Sequence, residues 1–525
     1  NICIFQDTET EVLTMHTVRL LLKPTEYDRQ ILEKRFHAVS HIHNVLVKHA
    51  KKQLQKLYND QEYVSRKTEY TVLLKKEKDK EKKTKLSRQE KELKKQLSAE
   101  MNQIIKDLGL SEYGFQSYIK ICGEMYSKCL SSQQVQKEAT RVWSGVRDVL
   151  YGNGNEIHFK KYRDFDTVCG KSNKNGVRFY KDGLITEWMG LSMKCRIPKN
   201  NDYIMETLKS DISYCEIQRK MFPNGWHDYV VLYLKGNAPE KITQNGNTGN
   251  ITGIDIGTST IAAVSDDLLM LKELAPKCHE YNIKIKKVSK HMDLSLRALN
   301  PGKYRPDGTI DRNNHDRWVY SRTYLKNRDL LKTLYRKKSA YIKQSHEEMI
   351  KELIRDSSFF VVEKMSFKGL QKKAKKTERS EKTSDIRQKD GTTKQIYKYK
   401  RKKRFGKSLN NRAPAEFIEI LTKKAELYGG AVYKVDTMKF KASQYDHVSD
   451  TYTKHSIHDR ERNIDGNTVQ RDLYSAFLLK NTDNNLEHTD RDKCIYEFAM
   501  FLKQHDKLIT EMKYQNISMK QCFGF

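Results

Sequence analysis

The spacing of apolar residues changes twice along this chain, and each change marks a different kind of structure. From Thr14 to Leu22 apolar and polar positions alternate as in a strand, which ends at Pro24. No further proline occurs until Pro198, and from Glu26 to about Leu150 the spacing is helical. Ile31, Leu32, Phe36, Val39, Ile42 and Leu46 recur on one face there. Within this region Lys75–Gln96 is dominated by Lys and Glu, which predicts a solvated helix or hairpin supported by pairs four residues apart. From about Tyr151 to Lys235 the pattern shifts to short β-like runs broken by Gly and Asn, at His158–Tyr162, Gly176–Tyr180, Leu191–Ile197 and Tyr229–Leu234. A small barrel or curled sheet is expected, followed by an Asn/Gly-rich linker at Asn245–Asn250.

The third regime starts at Ile251. A strand covers residues 251–257, a turn follows at Gly257-Thr258, and a second strand spans Thr260–Val264. Trp318–Ile354 is a long basic helical stretch. Phe359–Glu363 is apolar on both faces, as in a central strand, and Lys372–Lys407 has little apolar content. A helix opens at Pro414 with Phe417, Leu421 and Tyr428 on one face, stops at Gly429-Gly430, and leads to a strand at Ala431–Val435. Residues 468–479 read as a further helix. This order is that of an α/β sheet of the ribonuclease H type, within an α+β multidomain chain.

Charge narrows the choice of partner. The 525 residues carry a formal net charge of +32, with a pI near 9.5. Self-repulsion on that scale favours a polyanionic partner. Nucleic acid is the first choice and an anionic membrane surface the rival. No apolar stretch approaches the roughly 20 residues needed to span a bilayer, and no charged-then-apolar signal segment opens the chain. A soluble, cytoplasmic protein is expected. The nine cysteines are scattered, none in a Cys-x-x-Cys pair, which favours reduced thiols and gives no support for structural zinc.

Three acidic residues stand where apolar ones are expected. Asp255 lies in Ile-Thr-Gly-Ile-Asp-Ile-Gly, where side chains alternate faces and Gly257 permits a tight turn. Glu363 ends Phe-Phe-Val-Val-Glu, at the strand edge where α/β sheets keep their sites. Asp472 falls on one helical face with Val469, Leu473 and Ala476. Each has a plain structural alternative: a turn cap for Asp255, a solvated strand end for Glu363, a pair with Arg471 or Arg462 for Asp472. Together they suit divalent cations that cleave phosphodiesters, because a lone buried carboxylate costs several kcal/mol unless paired or metal-bound.

Gly-Ile-Asp-Ile-Gly-Thr-Ser, Val-Val-Glu-Lys-Met-Ser-Phe-Lys-Gly-Leu and Gln-Arg-Asp-Leu-Tyr-Ser-Ala resemble the three split RuvC motifs of the TnpB family. That family comprises transposon-encoded RNA-guided nucleases and the related compact type V CRISPR effectors. The likeness is strongest over residues 249–480. It implies a first wedge strand at 1–24, a helical recognition lobe at 25–148, a β-barrel wedge domain at 149–248 and a RuvC-like nuclease with motifs I and II at 249–440. It further implies a target-nucleic-acid insert at 441–467, and motif III with a tail at 468–525. Asp255, Glu363 and Asp472 would be the catalytic, metal-binding triad for two Mg²⁺ (or Mn²⁺). Guide RNA, a double-stranded DNA target and its displaced strand would be the partners. Two departures stand out. Tyr474 occupies a position where the family usually has Asn, and the family's Cys-x-x-Cys zinc ribbon is replaced by a segment with Asp446, His447, His455 and His458. No zinc is expected.

The densest cationic runs, Lys372–Lys376 and Lys398–Lys407, are interleaved with Tyr397, Tyr399 and Phe405. They read as backbone-tracking segments or as a solubilising loop, with Lys400, Arg401, Lys403 and Arg404 as the expected phosphate contacts. Lys75–Gln96 could likewise meet guide or target backbone, and Arg178, Tyr180 and Trp188 could grip RNA, unless Trp188 is ordinary core. A nuclease-dead RNA-guided repressor, a guide-independent transposase or resolvase, and a non-enzymatic RNA-binding protein are the alternatives.

Overall fold

A computed structural model describes residues 14–78, 86–198, 201–222, 224–239, 249–371, 379–387, 393–399, 405–456, 458–517 and 523–524. It divides into two units, Asn1–Lys241 and Ile242–Phe525.

The first unit opens with β1 (Met15–Lys23), then five helices: α1 (Glu26–Asn59), α2 (Gln61–Lys78), α3 (Arg88–Asp107), α4 (Glu112–Met125) and α5 (Ser132–Leu150). Polar residues start them. Thr25, Ser87 and Ser131 each close a capping box at the head of α1, α3 and α5. The apolar stripe foreseen on α1 is its buried face, with Leu32, Phe36, Ile42 and Leu46 fully covered. Residues 75–78 end α2 and residues 88–96 lie in α3, and the two helices share a small core of Leu73, Leu86 and Leu97. Ion pairs run between α2 and α3, as in Lys94–Glu77 at 2.7 Å and Arg66–Glu100 at 2.6 Å.

The strands β2 (Thr167–Cys169), β3 (Val177–Tyr180), β4 (Ile185–Trp188) and β5 (Leu191–Arg196) follow, then α6 (Asp202–Thr207), β6 (Ile212–Phe222) and β7 (Gly225–Lys235). They form a seven-stranded antiparallel sheet ordered β2-β6-β7-β1-β5-β4-β3. Asn173 curls it: its side chain bonds both backbone groups of Phe179 on β3, and its N–H donates to Ser213 on β6. The strand expected at His158–Tyr162 is absent; residues 162–164 make a 3₁₀ turn instead. Trp188 is core. It is fully buried against Phe36, its Nε1 donates to Gln134 Oε1 at 3.1 Å, and Arg35 lies over its ring. It cannot grip RNA, whereas Arg178 and Tyr180 remain exposed.

The second unit begins with β8 (Ile251–Ile256), β9 (Thr260–Val264) and β10 (Leu269–Glu273). Two long helices follow, α7 (Cys278–Leu299) and α8 (Arg322–Asp356), then β11 (Phe359–Glu363), α9 (Phe367–Leu370), and the strands β12 (Arg379–Arg387) and β13 (Thr393–Tyr399). Next come α10 (Gly406–Arg412), α11 (Pro414–Leu427), β14 (Ala431–Val435) and α12 (Thr437–Phe440). Two small hairpins, β15 (Tyr445–Asp446) with β16 (Thr451–Tyr452) and β17 (Glu461–Ile464) with β18 (Asn467–Gln470), precede α13 (Arg471–Lys480) and α14 (Arg491–Tyr514). The central sheet has the order β10-β9-β8-β11-β14, with β8, β11 and β14 parallel and β9 and β10 antiparallel to their neighbours.

Two expectations change. The lysine-rich segment, for which the sequence predicts no strand, contains the antiparallel pair β12–β13, whose backbone bonds need no apolar face. The helix expected over 468–479 starts only at Arg471, because Asn467–Gln470 pair with Glu461–Ile464 as a strand. Val469 is therefore a strand residue facing the core, and Gln470 caps the helix by accepting from Leu473 N at 2.7 Å.

Alternation divides the sheet's side chains. Ile254, Ile256, Phe360 and Val362 join Leu353, Phe417 and Leu421 in one core, under α8 and α11. Val361 and Ala262 join Leu473, Ala476 and Phe477 in another, under α13 and α14. Gly253 and Asp255 on β8, and Glu363 on β11, therefore belong to the α13 face. Helix and strand touch backbone to backbone there. A Cβ on Gly253 would lie 2.0 Å from Ala476 O and 2.2 Å from Lys480 N. Gly253→Ala is expected to displace α13 and to destabilise the unit by about 2–3 kcal/mol or more. A thermal melt matching wild type would disprove the close approach.

Candidate metal-dependent active site

The close seating of α13 on β8 sets the first turn of the helix beside the strand end that carries Asp255. Asp255, Glu363 and Asp472 line one cavity of about 730 Å³. Its walls also include the turn Gly257–Thr260, Leu370 and Phe405, and the cationic or titratable residues Lys454, His455, Arg460 and Arg471. Leu370 and Phe405 bracket the lysine-rich segment, so both of its ends spring from the cavity wall. Lys400, Arg401, Lys403 and Arg404 lie outside the described residues.

Each carboxyl has its own setting. Burial pushes the Asp255 carboxyl well above the usual range, and the Asp472 and Glu363 carboxylates push it further; Arg471 and Arg460 oppose them. Glu363 is also raised by burial, opposed by the Ala442 N–H that donates to its Oε1 at 3.3 Å. Asp472 occupies the first turn of α13, where the helix dipole favours negative charge. Arg471 donates to its Oδ1 from Nε at 3.1 Å and from Nη2 at 2.9 Å, and Arg460 Nη1 stands 3.6 Å from Oδ2. The plain pairing foreseen for Asp472 is thus present, with Arg460 as second partner. Arg462 turns elsewhere, donating to Tyr445 O at 2.9 Å and lying over the Tyr474 ring.

The donor set suits a hard cation in kind: three carboxylates, two with an unfavourable charge in their present surroundings. Among the described residues, however, no three His, Cys, Asp or Glu stand close enough to hold one ion. The arginines hold Asp472 in that arrangement.

The four residues standing in the place of a zinc ribbon also separate. His447 is fully buried among Phe477, Phe498 and Tyr474, with its Nδ1 2.7 Å from the Tyr474 hydroxyl. Burial lowers its pKa, opposed by the Asp446 carboxylate. Asp446 accepts from Val448 N at 2.9 Å, His455 lines the cavity, and His458 is exposed. Arg460, Lys454 and the Ala442 N–H were not singled out from sequence. None carries a motif, and each reaches the cavity through folding of the 441–467 segment.

No protein-family model matches the chain, and no curated protein matches it in sequence. Among solved structures it is similar to a chain of the "Cas12f1-sgRNA-target DNA complex", with 11% identity and a TM-score of 0.44 over 90% of this chain and 99% of that one. A chain of the "CRISPR-Cas12f Ternary Complex" matches at 11% identity and a TM-score of 0.24, over 89% and 99%. Among the described residues no helix is long and apolar enough to cross a membrane, and Cys122, Cys129, Cys169, Cys195, Cys215, Cys278 and Cys494 are free thiols.

The raised Asp255 carboxyl has a measurable consequence. Above its folded pKa the group is ionised in an unfavourable site and the cost is complete; below that value the folded chain holds a proton the unfolded chain does not, and the cost declines until the unfolded pKa is reached. In chelator-treated protein, Asp255→Asn should therefore raise the unfolding midpoint at pH 8, and the gain should shrink toward pH 5. Melting curves across that range check it; a lower midpoint at pH 8 contradicts the electrostatics described here.

Proposed function

We propose that this chain is an RNA-guided DNA endonuclease with a single RuvC-like, divalent-metal-dependent active site. The observation that carries the proposal is the convergence of Asp255, Glu363 and Asp472 on one cavity. They come from two parallel strand ends and a helix start more than a hundred residues apart, on a mixed sheet ordered β10-β9-β8-β11-β14. Structural carboxylates have no need to share a cavity that raises the pKa values of two of them.

Asp255, Glu363 and Asp472 would hold Mg²⁺ or Mn²⁺. When bound, the ions would supply an activated water and neutralise the leaving 3′ oxygen. The chain's own residues orient the site. Gly257 turns the backbone away just past Asp255, Ala442 fixes Glu363, and the seat of α13 on Gly253 fixes Asp472 against the sheet. Base pairing between guide RNA and target would read sequence, while the basic protein holds backbone and displaced strand. No role is assigned to zinc.

Arg471 and Arg460 on Asp472 favour a second reading, a guided DNA-binding protein that does not cut. The two separate on purified protein with its copurifying RNA and matched DNA. Cleavage that requires Mg²⁺ or Mn²⁺ and falls by about 1,000-fold or more in Asp255→Ala, Asp472→Ala and Glu363→Gln, with binding retained, supports the nuclease. Stable binding without cleavage in any divalent metal supports the binder. A discrete copurifying RNA is expected in both cases; its absence points to a guide-independent transposase or resolvase.

The lysine-rich segment offers a separate test. Changing Lys400, Arg401, Lys403 and Arg404 together to Ala should weaken matched and mismatched targets alike. The log–log salt dependence should flatten by about 0.7 to 0.9 for each phosphate that is no longer neutralised. An unchanged slope would identify the segment as a solvated loop.

A further inference from the structure

Residues 300–321 join α7 to α8, a longer connection than the roughly 12–15 residues beyond which irregular loops are usually functional or disordered. This one is ordered from within. Asn300 is buried, donates to Leu296 O at 2.8 Å and Val319 O at 2.9 Å, and accepts from Val319 N at 2.8 Å, tying the two helix ends together. Lys303 is also buried. Its ammonium donates to Asn314 O at 2.8 Å and lies over the Trp318 ring. Arg297 covers the Tyr304 ring and donates to Gly308 O at 3.1 Å, at a turn where Gly308 takes φ +75°. A bare linker needs no buried lysine and asparagine to hold its path.

The outside of the same loop is aromatic and cationic. Tyr320, 43% exposed, stacks on Tyr324 with centroids 4.9 Å apart, and Val319 beside it is 55% exposed. Arg312, Arg317 and Arg322 are exposed and enter no ion pair among the described residues. Unpaired cations close in sequence to an exposed tyrosine, itself backed by half-buried Tyr324, complement a phosphate backbone with free bases: the Tyr320 ring offers a stacking face to any base, and the arginines meet flanking phosphates. An apolar protein partner would leave those guanidinium groups without countercharge.

We infer that the tip of the α7–α8 hairpin is a docking site for an unpaired stretch of nucleic acid, with a base on Tyr320 and flanking phosphates on Arg312, Arg317 and Arg322. The inference rests on the nucleic-acid-binding part of the proposed function and is independent of whether the cavity cuts.

The test is photocross-linking of the full chain to a single-stranded oligoribonucleotide carrying 4-thiouridine, or to the matching oligodeoxyribonucleotide carrying 4-thiothymidine, with peptide mapping by mass spectrometry. A cross-linked peptide containing Tyr320 is expected, and the arm that gives it identifies RNA or DNA as the source. Tyr320→Leu should cut that yield at least five-fold while total binding changes less than three-fold. Arg312→Gln, Arg317→Gln and Arg322→Gln together should lower the log–log salt slope by about 2, at about 0.7 for each phosphate neutralised on a single strand. Strong binding with no cross-link at the tip in either arm and an unchanged slope overturns this inference alone. No binding to either strand overturns the proposed function as well. Concentration-dependent self-association that Tyr320→Leu abolishes, without a cross-link, assigns the tip to protein contact and also overturns it.

Discussion

The backbone of α13 rests directly on β8 because position 253 has no side chain. Ala476 and Lys480 occupy the space a Cβ would need, and this approach determines how far the first turn of the helix lies from the strand end that carries Asp255. The helix is buried on every side from Asp472 to Lys480, between the sheet and α14. Leu473, Phe477 and Leu478 each contribute roughly 1.5–3 kcal/mol by burial. That is enough to offset the cost, several kcal/mol per ion, of holding carboxylates with incomplete compensation nearby. The unit can therefore tolerate an electrostatically unfavourable cavity because one of its walls is so well packed. Lys480 secures the far end through Asp266 and Glu497, each at 2.5 Å.

The segment before α13 owes its order to a different device. His447 packs into an aromatic cluster of Tyr474, Phe477 and Phe498, and Tyr474 is its hydrogen-bond partner. The Tyr474 hydroxyl accepts from His447 N at 3.2 Å while meeting the imidazole, and Arg491 clamps the same turn by donating to His447 O at 2.9 Å. Tyr474 and His447, singled out separately in the sequence, thus meet in one buried cluster.

Legibility followed the physics of each element. Strands β8, β9 and β11 were readable because buried central strands are nearly continuous apolar runs, and β14 because the Gly429-Gly430 stop precedes it. Asp255, Glu363 and Asp472 stood out by interrupting such runs. The start of α13 was misread because Val469 satisfies both a helical and a strand period, and only pairing with Arg462 decides between them. Trp188 gave no local sign of its burial, which depends on Phe36 and Arg35 from a distant helix. The arginines on Asp472 were half visible: Arg471 is adjacent in sequence, while Arg460 arrives only when β17 and β18 pair.

One feature of α8 reaches beyond its own neighbourhood. Its 35 residues, at about 1.5 Å of rise each, make an uninterrupted rod of roughly 50 Å. One end carries the aromatic tip, and the other runs through Ser357 and Ser358 into the strand that ends at Glu363. The junction has little slack: Thr252 on β8 donates to Ser357 Oγ at 2.7 Å, and Ser357 donates to Asp356 at 2.8 Å. A load applied at the tip therefore meets no hinge before the sheet. The hairpin is a stiff arm whose base is tied to the starts of β8 and β11, the end of the sheet opposite Asp255 and Glu363.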